Sequence, residues 1–287
     1  MPRRVPRWLP VVVSAIALTS AAIHAQGSVA AADVLRAAAG YLDRYSDKLH
    51  AIGAEESYLQ YETSSGKLSK PRRLSADVAF VGLGAGNTAT YRDVYAIDNL
   101  EVRPRDERLW SLVKAPSDAS LDQASALSKE SVGRFLSPNL HALDQPTSPL
   151  EFLRRDNQAR SAFTIESVKT VDGARVAILK FTERATPRLV PMPEDAAATG
   201  RFWIDVGDGT VRQSEVGLAT KSVSLRGTVK YARDATLDLW LPIEMTQQIE
   251  VIGPGSQVIN YMGANGGYNA HEGHESRAYY SNFRAVK

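Results

Sequence analysis

The sequence predicts an α+β protein in which a leading helix and a short helical middle accompany an antiparallel sheet. Three observations carry that prediction. Apolar residues recur at every third or fourth position between residues 31 and 52. A two-residue alternation of apolar and polar side chains dominates after about residue 160. No long linker rich in Pro, Gly or Ser separates these regions, so residues 26–287 read as one domain.

The chain starts with Arg3, Arg4 and Arg7, followed by the apolar run WLPVVVSAIALTSAAI over residues 8–23. That run is shorter than the roughly 20 residues a spanning helix needs, and it contains Pro10. Small residues gather at Ala21, Ala22 and Ala25, so residues 1–25 read as a signal peptide cut near Gln26. An uncleaved amphiphilic anchor is the alternative. Cleavage removes three of the 34 basic side chains and none of the 32 acidic ones, which turns the formal charge from +2 to −1. The predicted mature protein is exported, unanchored and close to neutral.

Val34, Leu35, Ala38, Tyr41, Leu42, Tyr45, Leu49 and Ile52 fall on one side of a helix over residues 31–52, with Gly53 placed to end it. Strand-like segments follow at residues 56–63, 74–82 and 89–97. Residues 105–113, 121–136 and 150–157 read as short helices. Ser117 or Asp118 suits the cap of the second, and Ser148-Pro149 suits the start of the third.

In the last part Phe202, Ile204 and Val206 alternate with Trp203 and Asp205, and Gly207-Asp208-Gly209 reads as a turn. Val223, Leu225, Gly227, Val229 and Tyr231 alternate with Ser224, Arg226, Thr228 and Lys230. Ile243, Met245, Ile249 and Val251 alternate with Glu244, Thr246, Gln248 and Glu250. One apolar and one polar face per strand is the pattern of antiparallel sheets. The count is three strands before the helical middle and about eight after it.

Composition removes several function classes. The near-balance of charge argues against a nucleic-acid binder, which needs a concentrated basic excess. The absence of cysteine excludes disulfides, thiolate metal sites, cysteine nucleophiles and acylated-cysteine anchors.

The order of these elements, with three motifs, resembles the bacterial outer-membrane lipoprotein carrier (LolA-like) superfamily. GRFWIDVGDGTVRQSEV (residues 200–216) looks like its aromatic-rich hairpin, LWLPIEM (239–245) like one of its strand starts, and AYYSNFRAV (278–286) like its closing strand. RDVYAIDNLEVRPRDERL (92–109) looks more like uncharacterised exported relatives than like the carrier itself. The resemblance implies an unclosed antiparallel half-barrel of about eleven strands, its opening covered by helices and its concave face apolar. It also implies a periplasmic, non-enzymatic role: a monomeric carrier of lipid or lipoprotein acyl groups, without cofactor. A sensor or adaptor that binds another envelope protein is the alternative. The carrier's lid-latching residues match no positions here, and none is carried over.

The alternation assigns the cavity side. Ser224, Arg226, Thr228, Lys230, Glu244, Gln248 and Glu250 are expensive to desolvate and belong in water. Phe202, Ile204, Val223, Leu225, Val229, Ile243, Met245 and Ile249 then face inward, with Gly227 leaving room for a ligand or a close helix. Plain core packing is the competing reading. The loop PRLVPMP (187–193) presents Leu189, Val190 and Met192 either as an apolar lip beside the cavity or as a cover packed on the sheet.

Other clusters are weaker. His271, Glu272, His274 and Glu275 lie in a Gly/Asn-rich stretch and form a weak metal candidate, the basis of a third and lesser reading as a metal-dependent hydrolase. The histidine spacing is not that of a helical zinc hydrolase, and a solvated hairpin loop is the plainer reading. Gly82, Gly84 and Gly86 lack the Lys-Ser/Thr of a phosphate loop and read as a turn. Arg103, Arg105, Asp106, Glu107 and Arg108 read as a helix start, or as a site for acidic head groups. His50 reads as lying near the last carbonyls of the first helix. Glu55-Glu56 are neighbours on a strand and so point to opposite faces. No catalytic constellation emerges.

Overall fold

The computed structural model describes residues 29–64, 67–136, 143–192, 194–251 and 273–286. The expected signal peptide lies outside the described residues, as do His141, Pro193, His271 and Glu272. Among the described residues, no helix is long and apolar enough to cross a membrane.

Helix α1 (Ala31–Lys48) leads into strands β1 (Ala51–Ser64), β2 (Lys67–Leu68), β3 (Arg72–Gly84), β4 (Asn87–Ile97) and β5 (Leu100–Glu101). Helices α2 (Arg108–Val113) and α3 (Asp118–Phe135) follow, then two 3-10 turns, Ser148–Leu153 and Gln158–Arg160. The chain ends in β6 (Ser161–Val171), β7 (Ala174–Glu183), β8 (Thr199–Asp205), β9 (Val211–Ala219), β10 (Val223–Asp234), β11 (Leu239–Val251) and β12 (Gly273–Ala285).

Eleven strands stand side by side in the order β5-β4-β3-β1-β12-β11-β10-β9-β8-β7-β6, and the two-residue β2 adds to β1. Every pairing is antiparallel. Among the described residues β6 pairs with β7 alone, so the sheet is unclosed. The expected α+β class and half-barrel are present.

Helix α1 shows how far the sheet curls. It packs on β3 and β4 near one end of the strand order and on β6 and β8 near the other. A flat sheet could not offer both ends to one helix. Two glycines permit the approach. A Cβ on Gly82 would lie 1.8 Å from the Ser46 carbonyl oxygen, and one on Gly209, at φ +81°, 2.1 Å from that of Ala37. The β8–β9 and β3–β4 turns therefore grip the helix from opposite sides.

The helix ends earlier than its apolar period suggests. Leu49 caps α1, His50 turns the chain at φ 27°, and Ile52 and Gly53 are already in β1. Gly53 pairs with Ala79 on one side and Arg284 on the other, and a side chain there would meet the Trp110 ring. Pairing to two strands outweighs one more helical turn.

Helix α2 and the start of α3 lie on the face of the sheet away from α1. Leu109, Trp110, Val113 and Ala124 pack with Ala51, Ala79, Val81 and Tyr91, in a cluster separate from the main core. Val78 and Phe80 of the same strand belong to the main core, so α2 and the start of α3 cover the opposite, outer face. The reason is local: β3 is apolar on both sides through Val78, Ala79, Phe80 and Val81, and both sides need cover.

Helix α3 begins in a capping box between Ser117 and Ser120. It then wraps the β4 edge. Ser128 Oγ accepts from the Arg92 amide at 3.1 Å and Ser131 Oγ from the Val94 amide at 3.3 Å, while Phe135 and Leu136 reach the main core. Two donors that an edge strand would leave unpaired are thereby satisfied.

Candidate functional site

The inner face of the sheet carries the residues that the alternation selected. Phe202, Ile204, Val223, Leu225, Val229, Met245 and Ile249 are buried in one cluster that also includes Val34, Ala38, Leu42 and Tyr45 of α1. Phe152 and Leu153 of the first 3-10 turn complete the cover, with Phe152 4.7 Å from Phe181 and Phe181 5.2 Å from Phe202, centroid to centroid. Arg226, Lys230, Gln248 and Glu250 are exposed on the other side. The room left by Gly227 is taken by Leu143, whose Cδ1 would stand 3.2 Å from a Cβ there.

Ile243 departs from the expectation. It is 38% exposed. Lys230 pairs with Glu244 but Tyr231 with Pro242, so Ile243 is the extra residue of a bulge and turns outward. The period alone could not show this, because a bulge shifts facing without changing composition.

Residues 184–192 fold back on the sheet. The buried Glu183 carboxylate accepts from the amides of Leu189 at 2.8 Å and Ala198 at 3.1 Å, and Arg188 pairs with Asp195 at 2.7 Å. Val190 is buried, and Leu189 and Met192 pack half-buried against the core. The packed cover, rather than an exposed lip, is what forms.

Several expected clusters are dispersed. Gly273, His274 and Glu275 belong to β12, where His274 stands between Glu62 and Ile249 and Glu275 between Tyr61 and Gln248. They are not in a loop, and as successive strand residues His274 and Glu275 face opposite ways. Among the described residues no three His, Asp or Glu side chains gather as metal ligands. Gly84 and Gly86, both at positive φ, form the β3–β4 turn.

The arginine run neither starts a helix at residue 105 nor stands free for head groups. Arg105 bridges Asp77 at 2.7 Å and Glu55 at 2.6 Å, Arg108 holds Asp93 at 2.6 Å, and Arg103 joins Asp93 at 3.1 Å to Glu130 at 2.8 Å. This lattice pins the chain before α2 to the outer face. The Arg105 hydrogen bond, helped by Asn282, holds the Glu55 carboxyl below the usual carboxylate range.

What the sequence did not disclose is a polar inset in the inner face. Glu55 and Glu56 point opposite ways as expected, but Glu56 points into the core. It meets Arg92 of β4 at 2.5 Å, with both side chains buried. Asp144, just before the 3-10 turn, lies 3.5 Å from the same guanidinium, and the Tyr58 ring lies 5.3 Å from its carbon. Burial opposes the charge on Arg92, but Glu56 outweighs it and the group stays cationic. Burial pushes the Tyr58 hydroxyl up to about 12, against the pull of Arg92. No sequence motif marks this set, since its members are 36 and 52 residues apart.

No family model matches the chain, and no curated protein matches it. Solved structures resemble it in fold. A DUF1329 family protein from Desulfovibrio piger is 11% identical, with a TM-score of 0.38 over 86% of this chain and 91% of that one. A putative outer membrane lipoprotein-sorting protein domain from Vibrio parahaemolyticus is 10% identical, with a TM-score of 0.33 over 87% and 92%. A LolA superfamily protein from Nitrosomonas europaea is 10% identical, with a TM-score of 0.33 over 90% and 94%. The neighbours thus include the superfamily that the strand motifs resemble.

Proposed function

We propose that this chain is an exported, periplasmic binding and carrier protein for lipid or lipoprotein acyl groups, held against the inner face beneath α1 and residues 143–153. One observation carries the reading. The apolar inner surface continues from Val78 and Phe80 on β3 through Met245 and Val229 to Phe181 on β7, across an unclosed sheet. A chain lying along it gains about 0.8 kcal/mol for each methylene withdrawn from water. The cover packs on this face through Leu42, Tyr45, Phe152 and Leu153 and is also tied to it by Arg92 to Asp144, Gly86 to Ser46 and Tyr231 to Pro146, so a bound chain would take the place of those apolar side chains. The reading assigns no reaction, metal or nucleic acid to the chain, and treats it as a monomer freed from its leader.

A second reading is an adaptor for another envelope protein. What favours it is β6, an eleven-residue strand with Val168 and Val171 exposed and β7 as its only partner among the described residues. Such an edge accepts an added strand.

Native mass spectrometry of the protein purified from its own envelope separates the two. Co-purifying acyl species support the carrier, and a bound polypeptide supports the adaptor. A protein that carries no lipid and binds no fluorescent fatty acyl probe overturns the carrier reading.

A further inference from the structure

Three phenols meet where α1 crosses the inner face. Tyr41 and Tyr45 stand one turn apart on the helix with their rings stacked at 5.7 Å. Tyr231 of β10 is the electrostatic neighbour of both. Its hydroxyl donates to the Pro146 carbonyl at 2.9 Å and lies 3.5 Å from Ser214 Oγ. Ser214 is itself fully buried and stands opposite Val229 in the β9–β10 pairing, with Met245 opposite Val229 on the other side. The polar cluster therefore adjoins the middle of the apolar face.

One hydroxyl in this cluster is unsatisfied. Tyr45 is 3% exposed, and its oxygen is enclosed without a hydrogen-bond partner. A buried donor left unmade destabilises the fold unless a bound group receives it. Burial also keeps these three phenols protonated far above neutral pH, so each stays a neutral donor.

We propose that the Tyr45 hydroxyl, with Tyr231 and Ser214 beside it, is the polar end of the binding site and donates to the carbonyl oxygen of an ester- or amide-linked acyl group whose chain lies over Val229 and Met245. The inference rests on the carrier reading and adds a preference to it. Neutral donors receive a neutral carbonyl without a counter-ion. A free carboxylate would enter the same place uncompensated, because Arg44, the cation that bears on Tyr41, already donates to the Asp208 carbonyl.

The test uses the full chain, stripped of lipid, and one fluorescent polyene presented as methyl ester, free acid and parent hydrocarbon. Wild type is expected to bind the ester about tenfold more tightly than the hydrocarbon, and the free acid more weakly than the ester. Tyr45→Phe keeps the ring and is expected to lose that tenfold on the ester while leaving the hydrocarbon unchanged and the melting temperature equal or higher. Equal ester affinity in wild type and Tyr45→Phe overturns the inference while the carrier reading stands. A lowered melting temperature in Tyr45→Phe with ester binding intact also overturns it, since the hydroxyl would then serve the fold. Failure of wild type to bind any of the three probes removes the inference and the carrier reading together.

Discussion

The Arg92 guanidinium grips the Glu56 carboxylate twice, from Nε to Oε2 at 2.5 Å and from Nη2 to Oε1 at 2.8 Å, with 4% and 0% of the two side chains exposed. The same guanidinium donates to the Asp144 carbonyl at 3.2 Å. It thus ties the chain that follows α3 to the inner face of β1 and β4. Glu56 is the larger of the two carboxylate influences on Arg92, Asp144 being the other.

Removing one partner is therefore predicted to cost more than removing both. Glu56→Ala leaves the buried cation with the Asp144 carboxylate alone, 3.5 Å away, and is expected to lose about 3 kcal/mol in urea unfolding. Arg92→Met combined with Glu56→Leu is expected to lose much less. A single substitution as mild as the double one would show that the pair is not desolvated as described.

The close passage of α1 over the β3–β4 turn makes a second prediction. Gly82→Ala would place a carbon 1.8 Å from the Ser46 carbonyl oxygen and is expected to cost about 3 kcal/mol, because helix and strand must separate. Gly217→Ala meets nothing nearer than 3.7 Å and is expected to stay within about 0.5 kcal/mol of wild type. Thermal melts of the two variants side by side check the contrast.

Protection of the β4 edge is testable at one hydroxyl. Ser131 is fully buried and accepts from the Val94 amide. Ser131→Ala is expected to lose about 1–2 kcal/mol and to speed hydrogen exchange at Val94. Unchanged exchange at that amide would mean that α3 does not cap the edge.

The outer-face lattice sets an acid dependence. Arg105 and Asn282 hold Glu55 below its ordinary value of 4.5, so its folded-state value is the depressed one. Its contribution is complete above about pH 4.5 and is lost as pH falls through the lower, folded value. Urea midpoints measured from about pH 6 to about pH 3 should fall less steeply in Glu55→Gln than in wild type. Parallel slopes in the two proteins would contradict the pairing.

Local chemistry made much of this protein legible in its sequence. The period of Val34, Ala38, Leu42 and Tyr45 fixes α1, Ser117 fixes the start of α3, and the alternation of β8 to β11 fixes which side chains are buried. Those signals lie within a few residues of each other, where helical and pleated geometry alone decide what faces what. Tertiary structure decided the rest. The strand at residues 273–285 sits between β1 and β11, in the interior of the strand order, because pairing partners are chosen across more than two hundred residues. Ile243 turns outward because register slips at a bulge. Helices α2 and α3 cover the outer face because β3 is apolar on both sides. Glu56 and Arg92, each an ordinary surface residue by composition, are buried together because long-range pairing brings opposite charges to one face and lets each offset the other's desolvation.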